Sequence, residues 1–148
     1  MIFSNYNIKR ATVDSAGYDF KIPDDLTIHP GEKVKINTGV RFDGNECVTT
    51  GIHNGDGYMC GKVDKWFMAV FPRSSLGMKY GMRFTNTVGI IDMDYRNDII
   101  LEVMVDSECQ LKKGERIAQG IVLPFCVFKE EEKPTESRTG GMGSTGRF

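Results

Sequence analysis

Seventeen glycines divide this chain of 148 residues into short runs in which apolar and polar residues alternate. Such runs, separated by glycine and proline turns, are typical of the strands of an all-β sandwich or barrel. The length suits one domain with a buried core. The runs that predict strands are residues 9–13, 18–22, 33–36, 66–71, 99–105 and 117–123.

The same pattern predicts one short helix and two segments outside the sheets. The helix spans Ser74–Tyr80, because serines suit a helix N-terminus. Residues 1–128 are expected to form the β domain, within which the polar, glycine-rich stretch 43–64 is an inserted loop or hairpin. Residues 129–148 are expected to form a charged linker and a flexible glycine-rich arm.

Charge and hydropathy exclude two classes of partner. The net charge is −1 and the isoelectric point is about 6.1, so nothing favours nucleic-acid binding. No apolar run approaches the roughly 20 residues of a membrane span, and the first residues do not resemble a signal peptide. We therefore expect a cytoplasmic protein that contacts neither nucleic acid nor membrane.

The four cysteines contain no CxxC pair, and in a chain without a secretion signal we expect free thiols. Cys47, His53 and Cys60 share one stretch, but their number and spacing do not fit a zinc site.

The most informative segment is residues 89–96, which holds two carboxylates, a tyrosine and an arginine. Because the flanking residues 85–88 and 99–105 are rich in β-formers, the segment is interpreted as a β-hairpin. A carboxylate held rigidly on strands, such as Asp92, suits general-base chemistry. Tyr95 offers a flat platform for a sugar or a base. The alternative is an ordinary charged turn.

Two further segments are candidates for phosphate binding. Arg73, Ser74 and Ser75 place a guanidinium group, hydroxyls and free N–H groups at a helix start, where the helix dipole favours anions. In residues 138–146, four glycines let backbone N–H groups close on phosphate oxygens, and Arg138 adds a fork of donors. The alternatives are a plain helix cap and a disordered terminus.

The last two candidate site residues are Gln119 and Asp19. Gln119 lies in an otherwise apolar run and needs a partner if it is buried, whereas Glu115 and Arg116 are interpreted as a surface or subunit ion pair. Asp19 follows a run of small residues, and its alternative role is to cap a turn.

Taken together and in this order, these five segments resemble the five motifs of the homotrimeric deoxyuridine triphosphatases (dUTPases). The resemblance extends from residue 16 to residue 146. The matching segments are residues 16–20, 72–76, 86–96, 114–119 and 140–146.

The resemblance implies a jelly-roll-like β-barrel that assembles as a trimer with active sites shared among subunits. It implies hydrolysis of dUTP to dUMP and pyrophosphate, which keeps uracil out of DNA and supplies dUMP for dTMP synthesis. Mg2+ would be held mainly by the triphosphate and waters, with Asp19 binding a water of its shell. Asp92 would be the general base that directs water at the α-phosphorus.

The remaining site residues follow from the same resemblance. Tyr95 would stack on deoxyribose and leave no room for a 2′-hydroxyl. Uracil would be recognised by Asn86, Gly89, Ile90, Ile91 and Ile100. The phosphates would be contacted by Arg73, Ser74, Ser75 and Gln119, and the arm would contribute Arg138, Met142 and Gly143.

The chain departs from the family pattern at three places. Met142 stands where the family usually has a phenylalanine lid over uracil, so we expect weaker substrate binding. Arg138 precedes Met142 by four residues rather than five. The stretch 43–64 is longer than in many relatives and is interpreted either as a surface loop or as a protein-binding surface.

Two other functions remain as alternatives. One is a dCTP deaminase on the same scaffold, and the other is a non-catalytic nucleotide-sensing regulatory module. Asp92 together with Tyr95 argues against the deaminase, and a binding module would not need the base carboxylate.

Overall fold

The computed structural model describes residues 2–46 and 65–127, which form an all-β fold with one short α-helix, as predicted. The helix α1 spans Ser74–Tyr80, the predicted bounds, and a single 3-10 turn spans Gly44–Glu46. The strands in chain order are β1 (Ile2–Ser4), β2 (Tyr18–Lys21), β3 (Leu26–Ile28), β4 (Val34–Asn37), β5 (Val40–Phe42), β6 (Trp66–Pro72), β7 (Arg83–Phe84), β8 (Gly89–Ile91), β9 (Ile100–Met104), β10 (Cys109–Leu111) and β11 (Arg116–Pro124).

Every ladder between these strands is antiparallel. A four-stranded sheet has the order β2-β11-β6-β8, and a three-stranded sheet has the order β4-β9-β7. Two further pairs join β1 to β5 and β3 to β10. Among the described residues the ladders do not close into a barrel, because each sheet ends in edge strands.

One apolar core holds these sheets together. Phe20, Ile28, Met68, Val103 and Ile117 are each fully buried and belong to a single cluster. They come from five different strands, so the core joins sheets that share no ladder. Burying one such side chain stabilises the fold by roughly 1.5–3 kcal/mol.

The prediction of a β-hairpin over residues 89–96 is wrong. β8 pairs with β6, whereas β9 pairs with β4 and β7 in the other sheet. The connection between β8 and β9 turns inward at Tyr95, whose side chain is buried in the core cluster. The segment is therefore a crossover between two sheets, and the preceding residues 85–88 form a turn rather than a strand.

The predicted strand at residues 9–13 is also absent from the described ladders. Arg10 forms only one isolated bridge, to Tyr18. Its guanidinium Nη1 instead donates to the carbonyl oxygens of Val13 (2.7 Å) and Ser15 (3.0 Å). These bonds stabilise a turn, which competes with an extended strand.

The two ends of α1 are capped by residues other than Ser74 and Ser75. Arg73 occupies the N-cap position, with no side-chain capping hydrogen bond, and Ser74 and Ser75 lie exposed in the first turn. At the C-terminus Gly81 adopts φ 65°, a left-handed conformation that glycine reaches without steric cost. The serine hydroxyls are therefore not used as helix caps.

Several predictions lie outside the described residues. They concern residues 47–64 of the insert, including Cys47, His53 and Cys60, and residues 129–148 of the linker and arm. Cys109, which is buried, is a free thiol, as predicted, and Cys126 is exposed. No helix in the described ranges is long and apolar enough to cross a membrane.

Candidate active site

A cleft of about 320 Å³ opens between β8, the crossover and the start of β9. It gathers seven of the predicted site residues, all of which lie between positions 86 and 100. The seven are Asn86, Gly89, Ile90, Ile91, Asp92, Tyr95 and Ile100. The crossover thus places these residues together even though the predicted hairpin does not form.

The floor of the cleft consists of residues that the sequence did not identify. Val70, Phe84, Ile99 and Leu101 line it, and each is buried. The alternation of apolar residues indicates that such side chains face the core, but it does not indicate which of them lie below a cleft. The floor is therefore an apolar slot that suits a flat ring.

The backbone of β8 forms one wall of this slot. β8 is an edge strand of its sheet, so the N–H and C=O groups on its outer side are not used by a ladder in the described part of the chain. Gly89 lies close to Val70, because a Cβ at Gly89 would be 3.3 Å from the Val70 Cβ. The wall can therefore donate to and accept from the edge of a planar ligand at close range.

Asp92 lies at the mouth of the cleft, and Tyr95 lies inside it. Asp92 is exposed, and its carbonyl oxygen accepts a hydrogen bond from the Tyr95 N–H at 3.1 Å. Tyr95 is only 8% exposed, and its hydroxyl donates to the Asp98 carbonyl at 3.0 Å. Backbone and side chain of Tyr95 are thus both anchored, which fixes the ring in the cleft that Asp92 also lines.

Asp98 extends this anchoring to a neighbouring strand. Its carboxylate accepts from the Arg41 Nε at 2.6 Å and from the Asn37 amide at 3.1 Å. These bonds, with that of Arg41 the largest cause, hold the pKa of Asp98 below its usual range. The crossover is therefore tied to β4 and β5 by a charged network.

The second group of predicted residues centres on Asp19. Its carboxylate is buried and accepts hydrogen bonds from Arg73 at Oδ1 and from Arg116 at Oδ2, the latter at 3.2 Å. A buried carboxylate requires such partners to offset its lost hydration. Arg116 therefore forms its ion pair with Asp19, whereas the sequence had suggested a pair between Arg116 and Glu115.

Gln119 and the helix start lie next to this carboxylate. Gln119 is directly opposite Asp19 in the ladder between β2 and β11, and it is half-buried. Gly17 makes room for the amide, because a Cβ there would lie 2.9 Å from the Gln119 Oε1. Arg73 leads directly into Ser74 and Ser75. The predicted phosphate-binding residues of the described ranges thus form one group, whereas Arg138, Met142 and Gly143 lie outside those ranges.

The donor chemistry around Asp19 fits contact with a metal ion through a water molecule. In the described ranges, no three or more His, Cys, Asp or Glu side chains come together as a metal site. Asp19 accepts one arginine bond on each oxygen, and a carboxylate offers about four acceptor positions. It therefore retains capacity to accept from a metal-bound water, and this donor chemistry fits an outer-sphere role.

Comparisons with known proteins agree on one family. A family model for dUTPase matches residues 59–146. The chain is 35% identical to the deoxyuridine 5′-triphosphate nucleotidohydrolase of Lactococcus lactis subsp. lactis over 148 residues, which covers 93% of this chain and 86% of that relative.

Solved structures show the same likeness. A dUTPase from Streptococcus mutans superimposes with a TM-score of 0.62 at 28% identity, covering 87% of this chain and 97% of the other. A mutant dUTPase from phage phi11 of Staphylococcus aureus, described as coordinating a structural Mg(II) ion, has a TM-score of 0.65 at 16% identity, with 92% and 96% covered. At that identity the second likeness concerns the fold alone.

Proposed function

The chain belongs to the dUTPase family, and on this basis we propose that it is a dUTP diphosphatase, which hydrolyses dUTP to dUMP and pyrophosphate. The observation that carries the proposal is the cleft in which Asp92, Tyr95 and the edge of β8 lie together. The cleft has an apolar floor, an unpaired backbone wall in the described sheet and a carboxylate at its mouth. A pyrimidine, a sugar and an attacking water each require one of these features.

The hydrogen-bonding groups and the aromatic ring that line the cleft would select uracil and deoxyribose. Uracil presents one N–H and two carbonyls, which the edge of β8 and the amide of Asn86 can satisfy. Cytosine presents the opposite pattern at two of these positions, so buried groups would stay unpaired at a cost of about 1–3 kcal/mol each. Tyr95, fixed by its two hydrogen bonds, would stack on deoxyribose and exclude a 2′-hydroxyl.

Asp92 would act as the general base. Its carboxylate accepts a proton from a water, whose oxygen forms a bond to the α-phosphorus. The bond from that phosphorus to the bridging oxygen breaks, and pyrophosphate leaves in line. Positioning and charge neutralisation dominate such transfers, and the turn that fixes Asp92 to Tyr95 supplies the positioning.

The group around Asp19 would hold the triphosphate. Arg73 offers guanidinium donors, Ser74 and Ser75 offer hydroxyl and backbone donors, and Gln119 offers its amide. Arg138, Met142 and Gly143 of the arm would close over the nucleotide. Bound Mg2+ would neutralise charge on the phosphates, and Asp19 would accept from a water of its shell.

The full site would be shared among the subunits of a homotrimer, with dUTP as its substrate. The reaction would keep dUTP out of DNA synthesis and provide dUMP for dTMP synthesis. Residues 43–64 would add either a surface loop or a surface for a protein partner.

The deciding experiment measures pyrophosphate release from dUTP, dTTP, dCTP and UTP in the presence of Mg2+. We expect release from dUTP alone, and we expect Asp92→Asn to lower kcat by about 10²–10⁴-fold, the usual contribution of a general base. Ammonia release from dCTP would indicate a deaminase. Binding of dUTP without any release by the wild-type protein would indicate a nucleotide sensor and would refute the proposal.

A further inference from the structure

A second cleft, of about 250 Å³, adjoins Asp19 and Arg116 and shares no lining residue with the cleft of Asp92. Three more cationic residues line it: Lys9, Arg10 and Lys21. Of the residues that line it, only Asp19 and Arg116 belong to the five sequence motifs.

The cleft carries a local excess of positive charge. Four cationic side chains line it against a single carboxylate, Asp19, which already accepts from two arginines. Within the described ranges, neither Lys9 nor Lys21 has a carboxylate at ion-pair distance. The whole chain carries a net charge of −1, so this excess is a feature of the cleft. Such a concentration of charge attracts anions.

The backbone and Arg10 give the cleft a fixed wall. The Arg10 guanidinium is held by the carbonyl oxygens of Val13 and Ser15. The carbonyl of Lys9 accepts from the Asp19 N–H at 3.1 Å, which fixes the backbone that carries the lysine. The Arg10 guanidinium and the Lys9 backbone are thus positioned before any ligand arrives, which lowers the entropy cost of binding.

The opposite wall is fixed in the same way. The Lys21 ammonium lies 5.8 Å from the centroid of the Tyr6 ring, within the range of a cation–π contact. Arg116 is held by its bond to the Asp19 Oδ2 and keeps its other guanidinium N–H groups for a ligand. A planar guanidinium beside a compact ammonium suits a phosphate group, which accepts from both.

We propose that this cleft is an additional anion site that binds a phosphate group, either of free pyrophosphate or of the end of a nucleotide's phosphate chain. Its volume of about 250 Å³ accommodates pyrophosphate. Asp19 joins Arg116 in this cleft to Arg73 in the proposed triphosphate site. An anion bound here therefore contacts the same ion-pair network as the substrate phosphates.

The test titrates inorganic pyrophosphate into the full-length chain by isothermal titration calorimetry, without nucleotide, so it does not depend on turnover. We expect Lys9→Gln/Lys21→Gln to weaken binding by about tenfold or more, since each substitution removes a charge-assisted hydrogen bond to the phosphate oxygens. Lys33→Gln/Lys35→Gln removes the same charge outside the cleft and should leave the Kd unchanged. Lys9→Arg/Lys21→Arg retains the charge and should retain binding.

The KM for dUTP, measured on the same variants, separates the two sources of phosphate. An unchanged KM with a weakened pyrophosphate Kd indicates a site for the free anion. A KM that rises with the Kd indicates that the nucleotide's phosphate chain reaches the cleft. The proposal is overturned if wild type binds no pyrophosphate, or if the cleft variant and the control variant bind it equally.

Discussion

At the scale of single residues, the described part of the candidate site depends on two carboxylates with different environments. Asp92 is exposed beside a cleft, where a base can exchange protons with solvent. Asp19 is buried between two guanidinium groups, where a charged carboxylate orders its neighbours. The two carboxylates differ in burial and in partners, and their proposed roles follow from that difference.

Asp98 supports the anchored Tyr95 and gives a pH-dependent prediction. Because hydrogen bonds from Arg41 and Asn37 lower its pKa in the folded state, Asp98 stabilises the fold above the unfolded pKa of about 3.9, and this contribution is lost as pH falls through the lowered folded pKa. We expect Asp98→Asn to reduce the free energy of unfolding at pH 6 by about 0.2–1 kcal/mol, as for other exposed pairs. The difference from wild type should shrink toward pH 3.

Urea unfolding at several pH values measures this dependence. Asp14→Asn is the control, since Asp14 is exposed and makes no ion pair in the described ranges. Equal differences between Asp98→Asn and wild type at pH 6 and pH 3 would contradict the assigned role of the Arg41–Asp98 pair.

At the scale of elements, β11 connects the two parts of the candidate site through one glycine. Gly120 is paired with Tyr18 of β2 on one side and with Val70 of β6 on the other. A Cβ at this position would lie 2.6 Å from the Met68 sulfur and 3.0 Å from the Phe20 ring. Only glycine therefore lets the core side chains pack under this part of the sheet.

We expect Gly120→Ala to destabilise the protein by about 1–3 kcal/mol, the usual cost of overpacking a core. Gly77→Ala in α1 is the matched control, because its nearest contact, the Met82 oxygen, would be 3.5 Å away. That substitution should stabilise by about 0.5–1 kcal/mol, because it removes a helix glycine. The urea midpoints of both variants test this, and a Gly120→Ala midpoint equal to that of wild type would refute the packing argument.

The elements also show how far the sequence determines the structure. Strands with long apolar runs, such as β6 and β11, and the bounds of α1 follow from local pattern. Strands of two or three residues, such as β7 and β10, are too short to show a period. The error at β8 and β9 has a physical cause, since two β-rich segments around a turn look alike whether they pair with each other or with distant strands.

The grouping of the cleft residues could be predicted because these residues are neighbours along the chain. The cleft residues from Asn86 to Ile100 lie close together in sequence. The crossover therefore keeps them near each other even though they do not form the predicted hairpin. The floor of the cleft comes from the distant residues Val70 and Phe84, which no local pattern marks. The pairing of Arg116 with Asp19 is equally non-local, because the two residues meet only through the ladder between β2 and β11.

At the scale of the whole molecule, a line of three apolar residues is exposed at the end of the last strand. Leu123, Phe125 and Val127 are each more than a third exposed, at and just beyond the end of β11. The Phe125 ring also packs edge-on against Phe67, with 6.2 Å between centroids. We expect a second copy of the chain to cover this line in the proposed homotrimer.

The trimer predicts a particle of about 50 kDa, three times the 16.6 kDa of the chain. Light scattering coupled to size-exclusion chromatography measures this mass. Leu123→Ser/Val127→Ser should shift the particle toward smaller species, whereas Val13→Ser, at a residue that is exposed elsewhere, should not. A wild-type mass near 17 kDa would refute the trimer.

Sharing of the active site among subunits has a separate consequence. Asp92→Asn removes the proposed base and Arg73→Gln removes a proposed phosphate ligand, so each variant alone should have little activity. If a site takes Asp92 from one subunit and Arg73 from another, unfolding and refolding the two variants together in equal amounts restores both groups in about one quarter of the sites. If both groups come from one chain, every site in the mixture lacks one of them and activity stays at the level of the separate variants. Recovered pyrophosphate release therefore distinguishes a shared site from three independent ones.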